Sequence, residues 1–274
     1  MRLTTMDFVG FRFGDGTTKL GDSPGKTVVI EGPNGSGKTR FCELLFRCLQ
    51  LANGGAGPAS FADPELGRAK ATLDFELEER EAIEVGGARS CSLECFFGQR
   101  PMVDARLDRD PAVALMGSWQ GRGQLVGRID TVVGAASLGR PLLLDLALGE
   151  GGDKAQALAA ALADLGLAVD GVARAGELLV PAIRADQRRP LSELSSGERA
   201  AIDLLAYVAA SESRFVILDC VDDQLDDELA AKVMTSASAL FAGWQLFVTT
   251  RKRQLHVGGA SRVTFTKSAG GSHV

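Results

Sequence analysis

The segment from Gly32 to Thr39 restricts the possible folds of this chain more than any other feature. It reads GPNGSGKT and matches the pattern GxxxxGK[ST]. In such a loop the glycines let the backbone curl until successive N–H groups point at phosphate oxygens, and the following helix adds its positive end. An apolar strand is predicted before it, at 27–31, and an amphipathic helix after it, from Lys38 to about Leu51. This strand–loop–helix order predicts a phosphate-binding loop in an α/β fold.

The loop also predicts its ligand, because the lysine and the threonine that end this pattern each have a chemical role. Lys38 would reach the β- and γ-phosphates of a nucleoside triphosphate, and the Thr39 hydroxyl would ligate Mg²⁺. ATP and Mg²⁺ are therefore the expected cofactors. The candidate nucleotide-binding residues of this segment are Gly32, Pro33, Asn34, Gly35, Ser36, Gly37, Lys38, Thr39 and Arg40.

The remaining periodicities predict a mainly parallel sheet with additions. Apolar residues alternate with polar ones at 71–77 and 91–97, which is typical of an antiparallel meander. From Asp110 to Ile183 the pattern is Ala/Leu-rich and favours helices, most clearly over Asp153–Leu165. We therefore expect one domain over 1–274, with a helical lobe inserted at about 100–190. The further predicted elements are helices at about 196–210 and 227–241, strands at 215–218, 245–249 and 262–266, and a frayed end at 269–274.

Two further motifs follow the phosphate loop. Leu194-Ser195-Ser196-Gly197-Glu198 opens a predicted helix, with Ser195 and Glu198 spaced as a capping box. Phe215–Asp219 is an apolar strand that ends in an acid, where Asp219 would complete the Mg²⁺ shell. A second run of this kind, Leu142–Asp145, precedes the first motif and lacks the following pattern, so we favour Asp219.

In this order the three motifs resemble the ATP-binding-cassette (ABC) ATPases. Their signature, LSGGQ or LSGGE, is used by the partner subunit, and here Ser196 replaces its first glycine. The resemblance implies that Ser195, Ser196, Gly197 and Glu198 contact nucleotide and that Asp226 lies in the family's D-loop. It further implies a glutamine that contacts nucleotide and Mg²⁺. Gln99, directly after the meander, is the candidate, with Gln120 as a rival.

The branch resembled is that of SMC and RecF-like heads. The opening segment from Asp7 to Phe13, which contains the candidate nucleotide-binding residue Arg12, is similar to the start of those heads, and so is Arg199–Leu204 after the signature. Heptad repeats are lacking, so coiled-coil arms are not expected. The resemblance implies an ABC-type P-loop fold with a parallel sheet, an antiparallel β subdomain and a helical lobe.

Two positions depart from the family pattern. Cys220 stands where the general-base glutamate follows the strand acid, and Arg251 falls at the switch histidine, with His256 five residues later. A thiol orients an attacking water poorly, and arginine cannot relay a proton. We therefore name Asp219, Cys220 and Arg251 as the catalytic positions and expect little or no ATP hydrolysis, unless Asp222 or Asp223 serves as the base.

The resemblance and the composition together suggest a cytoplasmic ATP-dependent homodimer. Two copies would enclose two ATP molecules, with Lys38 of one facing Ser195 and Gly197 of the other, and closure would gate an effector protein or DNA in repair, chromosome maintenance or phage defence. The alternatives are an ABC transporter subunit with a permease partner and a pseudo-ATPase paired with an active paralogue.

The composition limits the possible partners. The net charge of −5 argues against a protein that coats nucleic acid in general. The sequence contains no apolar run of 18 residues, so a membrane-spanning helix is not predicted. Local basic clusters are Arg184/Arg188/Arg189 and Arg251/Lys252/Arg253.

Overall fold

The computed structural model contains two five-stranded sheets and a set of helices. The residues that it describes are 1–11, 16–20, 25–52, 69–84, 87–97, 102–107, 126–129, 136–149, 152–175, 178–185, 187–190, 193–251, 255–268 and 271–273. In chain order the elements are β1 (Arg2–Val9), β2 (Gly16–Lys19), β3 (Thr27–Glu31), α1 (Lys38–Ala52), β4 (Ala69–Glu76), α2 (Glu79–Glu84), β5 (Ser90–Phe97), β6 (Met102–Leu107), β7 (Val126–Ile129), α3 (Ala136–Leu148), α4 (Asp153–Asp164), β8 (Ala168–Ala175), β9 (Leu178–Ala185), β10 (Gln187–Pro190), α5 (Ser196–Ala210), β11 (Phe215–Asp219), a 3-10 turn (Val221–Gln224), α6 (Asp227–Leu240), β12 (Gln245–Thr250), β13 (Ser261–Thr264), β14 (Thr266–Ser268) and β15 (Gly271–His273).

The first sheet is parallel and carries the phosphate loop. Its strand order is β13-β3-β12-β11-β7, and every pairing in it is parallel. β3, β11 and β12 are almost wholly buried, as continuous apolar strands in a sheet covered on both faces should be. The carboxyl ends of β3, β11 and β12 therefore meet at one edge, where residues that follow these strands can form a site.

The second sheet is antiparallel, in the order β2-β1-β4-β5-β6. The predicted alternation of buried and partly exposed residues is confirmed in β4 and β5. β2 and β6, which were not predicted, extend the sheet on either side. The buried side chain of Gln245 at the start of β12 links the two sheets, because its Oε1 accepts a 2.8 Å hydrogen bond from the Leu3 amide in β1.

The apolar core has two parts, one on each face of the parallel sheet. Val28 and Phe215 point into the part that lies under α1 and the antiparallel sheet. Their neighbours Val29 and Val216 point into the part formed with α3–α6. This alternation along single strands gives a layered α/β architecture, and the fold class predicted from the sequence is confirmed.

Two sequence predictions are corrected and one choice is supported. The helical pattern was expected to run to Ile183, within a lobe at about 100–190, but residues 168–175, 178–185 and 187–190 form the antiparallel sheet β10-β9-β8. Asp145 lies within α3, so the run Leu142–Asp145 is not a sheet strand, in agreement with the preference for Asp219. Residues 271–273 are not frayed, because they pair with β14 as a hairpin. Within the described residues, the helices are all too short or too polar to cross a bilayer.

Candidate nucleotide-binding site

The loop between β3 and α1 has a backbone that only its glycines allow. Gly32 has φ +155°, and a Cβ placed there would lie 2.4 Å from the Phe265 carbonyl oxygen. Gly35 and Gly37 also have positive φ, a conformation that L side chains rarely adopt. The loop therefore wraps closely against the segment after β13, and its shape depends on glycine at Gly32 in particular.

Lys38 is held inside this loop. Its side chain is 5% exposed, and Nζ donates to the carbonyl oxygens of Gly32 at 2.6 Å and Pro33 at 3.1 Å. The ammonium group is thus enclosed by the backbone of the curled loop. Nearby, the buried Ser36 Oγ has no hydrogen-bond partner in the described part of the chain. An enclosed cation beside an unsatisfied hydroxyl is an arrangement that an anion such as phosphate completes.

The parallel sheet brings Asp219 to the start of α1, although 180 residues separate the two in sequence. Thr39 Oγ1 donates to Asp219 Oδ1 at 3.3 Å, and Thr249 Oγ1 at the end of β12 donates to the same oxygen at 2.6 Å. Asp219 is 3% exposed. Hydroxyl and carboxylate oxygens are the ligands that Mg²⁺ prefers, together with phosphate oxygens. The residues present therefore fit ATP and Mg²⁺, and Thr39 and Asp219 could hold the metal.

Cys220 follows Asp219 in a left-handed conformation, with φ 53° and ψ 31°. It is the single non-glycine residue with positive φ in the described ranges. Its N–H donates to Thr249 Oγ1 at 2.7 Å. Burial raises the pKa of the Cys220 thiol, and the charge of Asp219 adds to that rise although the Thr249 hydroxyl opposes it. At neutral pH the side chain is therefore an uncharged thiol, which is a poor general base.

The two acids that could replace the missing base are both engaged. Asp222 is fully buried, and its Oδ2 accepts a 2.5 Å bond from Thr250 Oγ1. Asp223 accepts a 2.8 Å bond from Arg251 Nε on Oδ1 and a second contact from Nη2 on Oδ2. This fork raises the pKa of the Arg251 guanidinium, chiefly through its hydrogen bond to Asp223. The arginine at the predicted switch position is thus tied to a carboxylate of its own chain.

The signature segment lies at the N-terminus of α5. Ser195 Oγ accepts from the Glu198 amide at 3.2 Å, and Glu198 Oε2 accepts from the Ser195 amide at 2.8 Å, which confirms the predicted capping box. Gly197 packs on the 3-10 turn, since a Cβ there would lie 3.2 Å from the Gln224 carbonyl oxygen. Asp226 caps α6 by accepting from the Leu229 amide at 2.8 Å.

The structure joins some of the predicted site residues and leaves others apart. The loop residues, Asp219 and Cys220 form one cluster at the strand ends. Arg40 points outward and pairs with Glu43 at 3.9 Å. His256 is exposed. Arg12, Gln99 and the rival Gln120 lie outside the described residues.

Sequence reasoning missed Thr249 and Thr250. Both are fully buried at the end of β12, and their hydroxyls bind the carboxylates of Asp219 and Asp222. A buried pair of threonines after an apolar strand is a recognisable signal, because each hydroxyl requires a partner. The partner becomes evident only from the register, in which Asp219 lies directly opposite Thr249.

The fold and the geometry of the site are those of an ABC-type P-loop fold. The solved structures with this fold to which the chain is similar include SMC heads. The SMC head domain from Thermotoga maritima is 18% identical over 100% of this chain and 97% of its own, with a TM-score of 0.60. The SMC head bound to the C-terminal winged-helix domain of ScpA is 15% identical over 98% and 95%, with a TM-score of 0.70.

A third structure, the SMC head with an extended coiled coil bound to the C-terminal domain of ScpA from Pyrococcus furiosus, is 12% identical over 96% of this chain and 93% of its own, with a TM-score of 0.59. No family model matches the chain, and no curated protein matches it. At these identities the likeness establishes the fold, and it confirms the predicted resemblance to an SMC-type ABC head.

Proposed function

We propose that this chain is an ATP-binding switch in which two copies close around two ATP molecules and thereby gate a partner in a chromosome-related process. The observation that carries the proposal is the cluster of Lys38, Thr39 and Asp219 at one sheet edge, where the carboxylate and the hydroxyl are 3.3 Å apart. Lys38 would bind the β- and γ-phosphates. Bound Mg²⁺ would neutralise phosphate charge, with Thr39 and Asp219 holding it.

Closure of two copies would use the signature segment. Ser195 is exposed at the N-terminus of α5, and its hydroxyl keeps a proton to donate while its oxygen accepts from the Glu198 amide. With the positive end of the helix dipole, this residue and Gly197 would bind the γ-phosphate held by the partner copy. Homodimerisation that depends on ATP follows from this arrangement. Arg12, Gln99 and Asp226 remain proposed nucleotide contacts, and Gln99 a proposed metal contact.

Slow hydrolysis is part of this proposal, and it would favour a switch over a motor. The thiol of Cys220 is neutral, Asp222 is buried, and Asp223 is tied to Arg251. None of the three is free to orient an attacking water, so ATP would stay intact in the closed dimer. We therefore propose that the chain has low ATPase activity at best.

The partner is proposed to be an effector protein, acting in repair, chromosome maintenance or phage defence. Two of the similar SMC heads were solved with a domain of ScpA bound, which supports a protein partner more directly than DNA. The formal charge of −5 supports the same choice.

The proposal is tested by nucleotide titration and light scattering on three proteins. Wild type should bind ATP with Mg²⁺ and double its mass. Lys38→Ala should lose nucleotide binding in calorimetry, because the loop loses the cation it encloses. Ser195→Arg should bind ATP but stay monomeric, because the long side chain fills the γ-phosphate position across the interface. Retained ATP affinity in Lys38→Ala would contradict the proposed nucleotide site. A wild-type protein that binds ATP and stays monomeric would contradict homodimerisation and favour pairing with a paralogue.

A further inference from the structure

The hydroxyl of Thr249 sits at the centre of the candidate metal site without being a ligand itself. It donates to Asp219 Oδ1 at 2.6 Å and accepts from the Cys220 amide at 2.7 Å. A hydroxyl has one proton to donate, and two acceptors lie within reach of it. Asp219 Oδ1 is the stronger acceptor, and Cys220 Sγ, at 3.5 Å, is the weaker one. The group is fully buried, and no water is needed to satisfy it.

These contacts fix two things at once. Asp219 Oδ1 is held by Thr249 and, at 3.3 Å, by Thr39, so this carboxylate oxygen has a set position beside the start of α1. The Cys220 amide is held in the left-handed turn that directs the chain away from β11. Threonine suits this position because its β-branched side chain has few χ1 rotamers, which keeps the hydroxyl in place.

We infer that Thr249 is a positioning residue for the metal site, one that orients the Asp219 carboxylate toward Mg²⁺ and sets the affinity of the site for the metal. The inference rests on the proposed function, since it needs an ATP-bound Mg²⁺. Hydrogen-bonded partners of a ligating carboxylate typically change metal affinity by about 10–100-fold when they are removed. The main requirement is for a hydroxyl at this place, which serine also supplies, although its rotamers are less restricted than those of threonine.

A series at position 249 tests the requirement. Thr249→Val keeps the branched shape and loses the hydroxyl, Thr249→Ser keeps the hydroxyl, and Thr249→Cys offers a weaker donor. The matched control is Thr250→Val, because Thr250 is the next residue of β12, is equally buried and also donates to a carboxylate, that of Asp222. For each protein the ATP affinity is measured by calorimetry across free Mg²⁺ concentrations and in EDTA, and the melting temperature is recorded.

Thr249→Val should require about 10–100-fold more Mg²⁺ for half-maximal ATP binding, with unchanged affinity in EDTA. Thr249→Ser should match wild type within about twofold, and Thr249→Cys should fall between. Thr250→Val should melt earlier with an unaltered Mg²⁺ dependence. If Thr249→Val does not fold, the inference is tested by the other two variants, because Thr249→Cys should then need more Mg²⁺ for half-maximal ATP binding than Thr249→Ser.

Three results would overturn the inference while leaving ATP binding intact. The first is a Thr249→Val protein whose ATP binding depends on Mg²⁺ as in wild type. The second and third are a Thr249→Ser or a Thr250→Val protein that needs as much additional Mg²⁺ as Thr249→Val. A wild type that binds no ATP at any Mg²⁺ concentration would instead overturn the proposed function and the inference with it. The two failures are therefore distinguishable.

Discussion

Replacing Cys220 by glutamate should convert a slow ATPase into a faster one. The thiol that now follows Asp219 is uncharged, because burial raises its pKa. A carboxylate at this place could orient the attacking water and accept its proton. Residue 220 already has φ 53°, and an L residue in that conformation costs about 1–2 kcal/mol whether its side chain is cysteine or glutamate. Cys220→Glu therefore adds no new backbone strain.

The expected gain follows from the chemistry that the substitution restores. General-base assistance is typically worth about 10²–10⁴-fold in rate, or about 3–5 kcal/mol of activation free energy at 1.36 kcal/mol per decade. The Nε–Nη2 edge of the Arg251 guanidinium already binds Asp223, so Asp223 competes with the new carboxylate for this arginine. The like charges of Asp219 and Asp223 oppose the new one, so the lower end of the range is expected.

Phosphate release under saturating ATP and Mg²⁺ measures the effect, and the control is Arg251→His alone. That variant releases Asp223 without adding a carboxylate, and its turnover should stay near the wild-type level. Cys220→Glu combined with Arg251→His should equal or exceed Cys220→Glu, since a histidine can relay a proton. Brisk wild-type turnover that Cys220→Glu leaves unchanged or lowers would refute the reasoning. Faster turnover in Arg251→His alone would identify Asp223 as the base.

Two further substitutions test the loop and the signature. Gly32→Ala should abolish ATP binding and lower the melting temperature, because its Cβ would lie 2.4 Å from the Phe265 carbonyl oxygen. The control is Gly152→Ala, which should change the free energy of unfolding by less than about 0.5 kcal/mol, because no atom lies within 4 Å of the added Cβ. Ser195→Ala should cost about 1 kcal/mol in urea unfolding through the lost helix cap, and Ser195→Asp should keep that stability yet block ATP-dependent dimerisation by repelling phosphate. If the Ser195→Asp protein still dimerises when ATP is added, Ser195 does not lie in the dimer interface.

The parts of the fold that carry strong local signals were predictable. β3, α5 and β11 lie within a residue of their predicted bounds, because a buried parallel strand is a continuous apolar run and a capping box starts a helix. The helical prediction for 168–183 was wrong because alanine-rich segments have high helix propensity wherever they occur. Gly171 and Pro181 inside it, which disfavour a helix interior, were the contrary signal.

The candidate site was predictable as a set of motifs but not as a set of contacts. Lys38, Thr39 and Asp219 were assigned from spacing, and the structure places the last two 3.3 Å apart. The bond of Thr249 to Asp219 and the fork of Arg251 on Asp223 depend on how β11 and β12 pair. Strand pairing joins residues about thirty positions apart in the chain, and periodicity along one strand does not encode its neighbour.

The way the segment after β11 is held explains how residue 220 can change without changing the fold. Thr249, Thr250 and Arg251, three consecutive residues, bind Asp219, Asp222 and Asp223 respectively. Cys220 contributes chiefly its backbone N–H, which any residue except proline would supply. The turn is therefore fixed by its neighbours, and the side chain at this position is free to decide the chemistry alone. A fold held in this way would let the proposed ATP-binding switch lose its general base and keep its nucleotide site.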